Sequence, residues 1–444
     1  MRILHTSDWH LGRQLFGRKR YDEFEAFLDW VAQTIEHESI EVLLIAGDVF
    51  DTSTPSNRAQ ELYYRFLCRM AASSVCRHVV IIAGNHDSPS FLDAPKSLLR
   101  ALQVHVIGQA QAQPEDEVVV LHDAQQRPEL IVCAVPYLRD RDLRTSQAGE
   151  SLQDKERQLL EGIRQHYATV AAHAQTLREG ILAQERVSTQ IQSKQNANGL
   201  TAARTLPIIG MGHLFTAGGQ TVDGDGVREL YVGSLAHVGA SIFPTSLDYV
   251  ALGHLHVAQI VGGNPCIRYS GSPIPMGFGE AAQRKSVCIL QWPTEIVATP
   301  VDTASAAIPP AITQLEVPCF QSLVRIQGDW ATIAQQLQDV VSASPKAWLE
   351  VTYSGQDIIT DLRERIDGML QGTQIEVLRI RNQRIVQQLL TSSQAHESLE
   401  DLSPQQVFER CLDAHNVPAE QRHELVLSYQ EVLRTLEQED TQAD

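Results

Sequence analysis

Val79-Val80-Ile81-Ile82-Ala83-Gly84-Asn85-His86-Asp87-Ser88-Pro89 is the stretch whose reading decides the fold. Residues 79–83 are an unbroken apolar run rich in β-branched side chains, which reads as a short strand buried on both faces. Gly84 breaks the run, and Asn85, His86 and Asp87 follow at once. In an open α/β sheet the crevice beyond the carboxyl ends of the strands is where ligands bind. Three side chains able to bind metal or move protons therefore leave the strand where chemistry is expected. Taken alone the same residues also read as a turn capped by Asn and Asp, so the rest of the chain has to decide.

Upstream, two more apolar runs end the same way. Arg2–Thr6 delivers Ser7-Asp8-Trp9-His10-Leu11-Gly12, and Val42–Ala46 delivers Gly47-Asp48-Val49-Phe50-Asp51. On an extended chain Asp8 and His10, two apart, point to the same side. Between these runs, Phe24, Phe27, Leu28, Val31 and Ile35 recur at helical spacing. Pro55-Ser56-Asn57 then opens a helix with an apolar face of Leu62, Tyr63, Phe66, Leu67 and Met70. Strand, helix, strand, helix, strand predicts a parallel sheet with crossover helices.

Downstream, strands are expected near 104–107, 118–121 and 130–135. Residues 151–193 are rich in Gln, Ala and Glu, and Leu160, Ile163, Tyr167, Val170, Ala174, Leu177 and Ile181 alternate spacings of three and four. This stripe predicts a long helix packed on its own domain, with a separate interaction arm as the alternative. Strand signals resume at 206–211, which ends in Gly212-His213, and at 249–252, which leads into Gly253-His254-Leu255-His256. Ile267–Tyr269 precedes Ser270-Gly271-Ser272-Pro273-Ile274-Pro275, a rigid turn, and 287–292 closes a first domain over 1–295. A Pro- and Ala-rich linker near 300–310 leads to a smaller α/β unit over 310–390. A helical tail is expected over 397–440.

The chain has 444 residues, 43% of them apolar, enough for two or three globular domains. Its seven cysteines include no Cys-x-x-Cys pair, which suits reduced thiols in a cytoplasmic protein better than a disulfide framework. Neither an export signal nor an apolar run of the ~20 residues that span a membrane is expected. The net charge of −18 argues against nucleic acid at first sight. The acidity is uneven, however: residues 291–444 hold 10 Lys+Arg against 23 Asp+Glu, whereas 1–290 hold 26 against 31. A phosphate-rich ligand is not excluded at the front of the chain.

Asp8 with His10, Asp48, Asn85, His213, and His254 with His256 each stand just beyond an apolar run, mostly beside a glycine. One such residue is an ordinary cap or core hydrogen bond; seven are not. Mixed imidazole, carboxylate and amide donors suit a borderline transition metal better than Mg²⁺ alone. Two Asp and four His leave a pair of divalent ions net positive, which suits a phosphodiester. Two ions about 3.5–4 Å apart can clamp attacking and leaving oxygens. One carboxylate has to bridge them, and Asp48, on the middle strand of three, is the natural choice.

The ordered set Asp8-x-His10, Gly47-Asp48, Gly84-Asn85-His86-Asp87, Gly212-His213 and Gly253-His254-x-His256 resembles the calcineurin-like metallophosphoesterases. The wording around it, including Gly271-Ser272-Pro273-Ile274-Pro275, resembles their Mre-type nuclease branch. The resemblance implies an α/β fold: a calcineurin-like two-sheet sandwich flanked by helices, a small α/β capping domain and a helical C-terminal tail. It implies one metal on Asp8, His10, Asp48 and His256 and another on Asp48, Asn85, His213 and His254, with Mn²⁺ the expected ion. His86 would face the scissile phosphate and protonate the leaving oxygen, with Asp87 as orienting partner. Implied partners are DNA, a coiled-coil ATPase docked through the tail, and a second copy of the chain held through helices that include the 58–72 face. The implied activity is double-strand exonuclease and single-strand or hairpin endonuclease. Arg13, Arg18 and Lys19, directly after the Asp8/His10 loop, are candidate DNA contacts. The alternatives are a non-catalytic adaptor on the same fold, or a phosphoesterase for a smaller substrate.

Overall fold

The computed structural model describes residues 1–143, 151–193, 205–216, 239–293, 309–343, 346–355, 357, 359–382 and, in the tail, Phe408, Leu412, Arg422 and Tyr429. The chain divides into two compact units, Met1–Phe320 and Gln321–Asp444.

In the first unit two six-stranded sheets lie face to face. One runs Ala311–Glu316, Ser286–Gln291, Arg2–Thr6, Val42–Ala46, His78–Ile82, Val104–Ile107 in spatial order. Its last four strands are parallel, in the register Leu4↔Leu43, Leu43↔Val79 and Val79↔Val104. The other runs Gln259–Val261, Asn264–Tyr269, Tyr249–Gly253, Ile208–His213, Pro128–Ala134, Val118–His122.

The unbroken apolar strands follow from this double coverage. Along Val42–Ala46, the side chains of Val42, Leu44 and Ala46 enter the core between the sheets, with Ile209, Met211 and Ala251 of the opposite sheet. Leu43 and Ile45 face the other way, into a layer formed by the helices Tyr21–His37 and Asn57–Ala71. Ser56 caps the second of these, its Oγ accepting from Ala59 N–H at 3.3 Å. Leu62, Tyr63, Phe66, Leu67 and Met70 are all buried in this same core.

The second sheet is covered by Leu152–Ser193, a single helix of 42 residues. Ile163, Tyr167, Val170 and Ala174 of the stripe are buried against it together with Leu159, while Leu160, Leu177 and Ile181 are partly buried. The heptad stripe thus closes the fourth layer of the chain's own sandwich. Tyr167 reaches behind the strand that carries His213, donating to Met211 O at 3.4 Å.

Among the described residues the sequence pattern missed the short helices Pro89–Asp93, Lys96–Ala101 and Asp140–Leu143, the hairpin Gln14–Leu15/Arg18–Lys19, and the strands Gln259–Val261 and Ala311–Glu316. The last pairs with Ser286–Gln291 over its whole length, so the first unit runs past the Pro- and Ala-rich segment to Phe320. It is mostly exposed, and no apolar alternation marks it.

The second unit has a three-stranded parallel sheet, Leu323–Gly328, Trp348–Tyr353 and Glu376–Asn382. The helices Trp330–Ala343 and Leu362–Leu370 bury Ile333, Leu337, Ile366 and Leu370 with Leu349 and Val351. Of the tail expected over 397–440, Phe408, Leu412, Arg422 and Tyr429 are helical, and the Phe408 and Tyr429 rings stack at 4.1 Å. The rest of that expectation lies outside the described residues. Among the described residues no helix is long and apolar enough to cross a membrane.

Candidate metal centre

The loops after Arg2–Thr6 and Val42–Ala46 continue their strands' parallel pairing: Asp8 N–H donates to Gly47 O, His10 N–H to Asp48 O and Leu11 N–H to Val49 O, at 2.9–3.0 Å. They do so with Asp8 at φ 54°, His10 at φ 47° and Asp48 at φ 49°. Asp8 and His10 therefore share a side for a different reason from the extended chain expected. Left-handed backbone turns both inward while Trp9 points outward, its ring edge-on to Phe27 and Phe66. His254, at φ 102°, is a fourth such residue. Positive φ in a non-glycine residue is unfavourable and persists only where the surroundings over-determine it.

Glycines allow the two sheets to close on this point. A Cβ at Gly253 would overlap Ala46 O, and one at Gly84 would overlap the Asp48 carboxylate. His213 and His254/His256 from the second sheet thereby meet Asp8, His10, Asp48 and Asn85 from the first. Three groups of donor atoms converge: Asp8, His10 and His256; His10, Asp48 and His86; Asp48, His213 and His254. Asp48 stands in two of them, His213 Nε2 lying 3.3 Å and His10 Nε2 3.6 Å from its Oδ2.

The surroundings of the histidines show which nitrogens face the cluster. His213 Nδ1 lies 2.9 Å from Ala46 O, which can only accept, so Nδ1 carries the proton. The Nε2 lone pair then faces Asp48 Oδ2 and, at 3.0 Å, Asn85 Oδ1, both acceptors. Asn85 Oδ1 is also 2.9 Å from His254 Nδ1. On the other side His10 Nδ1 is 3.2 Å from Asp51 Oδ1 and His256 Nδ1 is 3.3 Å from Glu280 Oε1. Glu280 draws the His256 proton outward, Asp51 stands beside His10 Nδ1 as a nearby charge without a hydrogen bond, and the two Nε2 atoms face each other at 3.2 Å. Lone pairs converging on lone pairs and carboxylate oxygens in a buried space are complementary to cations, so these residues fit a divalent pair.

Electrostatics agree. Burial opposes charge on His213, but the Asp48 carboxylate prevails and raises its pKa to about 9. Burial dominates at His254, lowering it to about 3. Asp48 is held well below its ordinary value, its burial outweighed by His213, His10 and His86. Without a metal, a proton on His213 is the available counter-charge to Asp48.

His86 joins the edge of this cluster. Its N–H donates to Asp48 Oδ1 at 2.9 Å, and its ring stands edge-on to His10 at 4.8 Å. Its Nδ1 donates to the carbonyl of Asp51 at 2.7 Å. The orienting partner is thus a backbone oxygen of Asp51, and Asp87 has another task. The Asp87 carboxylate accepts from Gly84, Val49 and Phe50 N–H at 2.8–3.1 Å, tying the second and third loops together. Burial and the nearby Asp48 raise it to about 6.

The candidate DNA contacts separate. Arg13 is mostly buried, its guanidinium donating to Asp51 Oδ1 at 3.0 Å and to Met276 O at 3.1 Å, so it steadies Asp51. Arg18 and Lys19 are exposed on the small hairpin. Sequence reasoning missed Asp51 and Glu280, which are held by their partners at about 2 against the opposing effect of burial. Asp51 closes the Gly47–Asp51 motif, three residues after Asp48, and could have been found there. Glu280 has no local signal, lying 24 residues beyond His256.

Residues 1–162 match the family model for calcineurin-like phosphoesterases, and residues 319–416 match one described as the type 5 capsule protein repressor C-terminal domain, SbcD_C. The chain is 34% identical over 438 residues to the SbcD subunit of the SbcCD nuclease of Escherichia coli (strain K12), covering 98% of both chains. It is 35% identical over 295 residues to the corresponding subunit from Rhodobacter capsulatus and 33% over 293 residues to that of Bacillus subtilis, about two thirds of each chain.

Proposed function

The chain belongs to the SbcD family of calcineurin-like phosphoesterase nucleases, and from that premise we propose that it is a metal-dependent DNA nuclease, cutting DNA ends with an SbcC-type coiled-coil ATPase in the cytoplasm. The observation that carries this is the sharing of Asp48 between donor groups drawn from both sheets. An adaptor needs none of these residues, and none of their backbone strain.

Asp8, His10, Asp48 and His256 would hold one cation, and Asp48, Asn85, His213 and His254 the other, with Mn²⁺ the favoured ion. When bound, such a pair neutralises the charge gathering on the phosphodiester and activates water. His86, outside both sets, has Nδ1 committed to Asp51 O. Only its Nε2 is left to pass a proton to the departing oxygen. Arg18 and Lys19 are the proposed phosphate contacts. A pairing of two copies within a heterotetramer would use the outer surface of the Tyr21–His37 and Asn57–Ala71 helices, since the inner apolar face is filled by the chain's own core.

The test is cleavage of linear duplex and hairpin DNA by the purified chain, with and without the ATPase, in Mn²⁺, Mg²⁺ and chelator. Mn²⁺-dependent cutting abolished by chelator supports the proposal. Binding of DNA with no cutting in either metal, with the ATPase present, would make the chain an adaptor.

A further inference from the structure

The support behind His256 is more elaborate than a single hydrogen bond. Glu280 is fully buried, and its Oε1 accepts from His256 Nδ1. Its Oε2 accepts from Met276 N–H at 3.0 Å, from Ser272 Oγ–H at 3.3 Å and from the buried Lys285 Nζ. Lys285 also donates to His256 O and Gln283 Oε1 at 3.1 Å and to Ser272 Oγ at 3.0 Å. One lysine thus binds both the carboxylate behind the imidazole and the backbone of the same histidine. A buried ion pair is weak as a source of stability, because desolvation offsets the attraction. Its geometry here does something more specific: it fixes the ring's tautomer, its rotation and the charge behind it.

His10 has a matching support, with Asp51 behind the ring and Arg13 behind Asp51. Met276 joins the two, its N–H given to Glu280 and its carbonyl taken by Arg13. His213 is built differently, with the backbone carbonyl of Ala46 behind its Nδ1.

We infer that Glu280 and Lys285 are positioning residues that set the donor strength of His256, and so govern the affinity of the Asp8/His10/His256 side of the metal centre separately from the His213/His254 side. The inference rests on the metal-binding reading above. A carboxylate hydrogen-bonded to Nδ1–H makes Nε2 a better donor, and Lys285 limits how far by drawing charge from Glu280. Lys285→Met would remove the donor that holds both Glu280 Oε2 and the His256 carbonyl, and so release the ring from its fixed rotation.

Mn²⁺ titration calorimetry on the metal-free full chain provides the test. Two bound ions are expected, and Glu280→Gln should weaken one about 10–100-fold while leaving the other unchanged. Glu280→Asp should restore part of the loss. Lys285→Met should weaken the same ion and leave the other unchanged. Equal affinities in wild type and Glu280→Gln would overturn the inference, as would equal losses at both ions. No Mn²⁺ binding by the wild type would instead overturn the metal-centre reading itself. Should the variants not fold, ¹⁵N-histidine NMR of the wild type still decides: His256 protonated on Nδ1 is expected, and protonation on Nε2 alone refutes it.

Discussion

The imidazoles of His10 and His256 meet Nε2 to Nε2 at 3.2 Å, each backed at Nδ1 by a buried or half-buried carboxylate. Two such rings cannot hydrogen-bond to each other while both protons sit on Nδ1. A contact of that kind suits a cation between the two rings.

Asp48→Ala should remove both ions, because its carboxylate stands in both proposed sets. His86→Gln should keep both while lowering cleavage by about 10²–10⁴-fold, the usual contribution of a proton donor. Calorimetry beside a nuclease assay separates the two. Full occupancy in the Asp48 variant would end its role as the bridge.

Neutralising Arg18 and Lys19 together should weaken DNA binding and lower the salt slope by about 0.9 for each phosphate no longer neutralised. Arg13→Ala should act otherwise, because Arg13 is bound to Asp51. Its effect should appear in metal affinity, with the salt slope unchanged. Binding isotherms across a salt series distinguish these outcomes.

The metal-free protein should lose stability as pH rises from about 6.5 through about 9. The His213 pKa is raised to about 9 in the folded chain, against burial and by Asp48, so the stabilisation is full below the unfolded value and lost above the folded one. With Mn²⁺ bound the slope in this window should vanish, since metal takes the place of the proton. Melting temperatures in chelator and in Mn²⁺ at pH 6.5, 8 and 9.5 measure it.

Gly84→Ala should destabilise the fold by roughly 1–3 kcal/mol, as overpacking does. The added methyl would overlap the Asp48 carboxylate and backbone N–H. Denaturant unfolding of the metal-free variant reads the cost, and an unchanged midpoint would show that the loop gives way freely.

Deleting 397–444 should leave Mn²⁺-dependent cleavage of simple DNA ends intact while abolishing co-purification with the ATPase. That segment carries 12 Asp+Glu against 3 Lys+Arg and should repel DNA. Retained ATPase binding at full affinity would place the docking surface elsewhere in the chain.

The strand ends were legible in the sequence because each couples a doubly buried apolar run to an abrupt polar exit. Asp8, His10, Asp48, Asn85, His213, His254 and His256 all stand at such exits, and the structure brings them together. Periodicity likewise foretold the long helix and its packed stripe. What stayed hidden depends on tertiary closure. Glu280 reaches His256 only after the 270–280 loop folds back, and Arg13 reads as a solvated cation until Asp51 lies beside it. Asp87, adjacent to His86 in sequence, faces three backbone amides of neighbouring loops. Adjacency along the chain was a poor guide to which side chain orients which.

The proposed metal donors come from both sheets, and they span residue 8 to residue 256. During synthesis the first sheet's donors emerge long before His213, His254 and His256, so no subset of the early chain can hold the shared pair. Once the sandwich has closed, each ion bound there would act as a cross-link over its seam, worth about 2.7 kcal/mol at a free concentration one hundred times its dissociation constant. Metal starvation should then be felt first as proteolytic opening between the sheets.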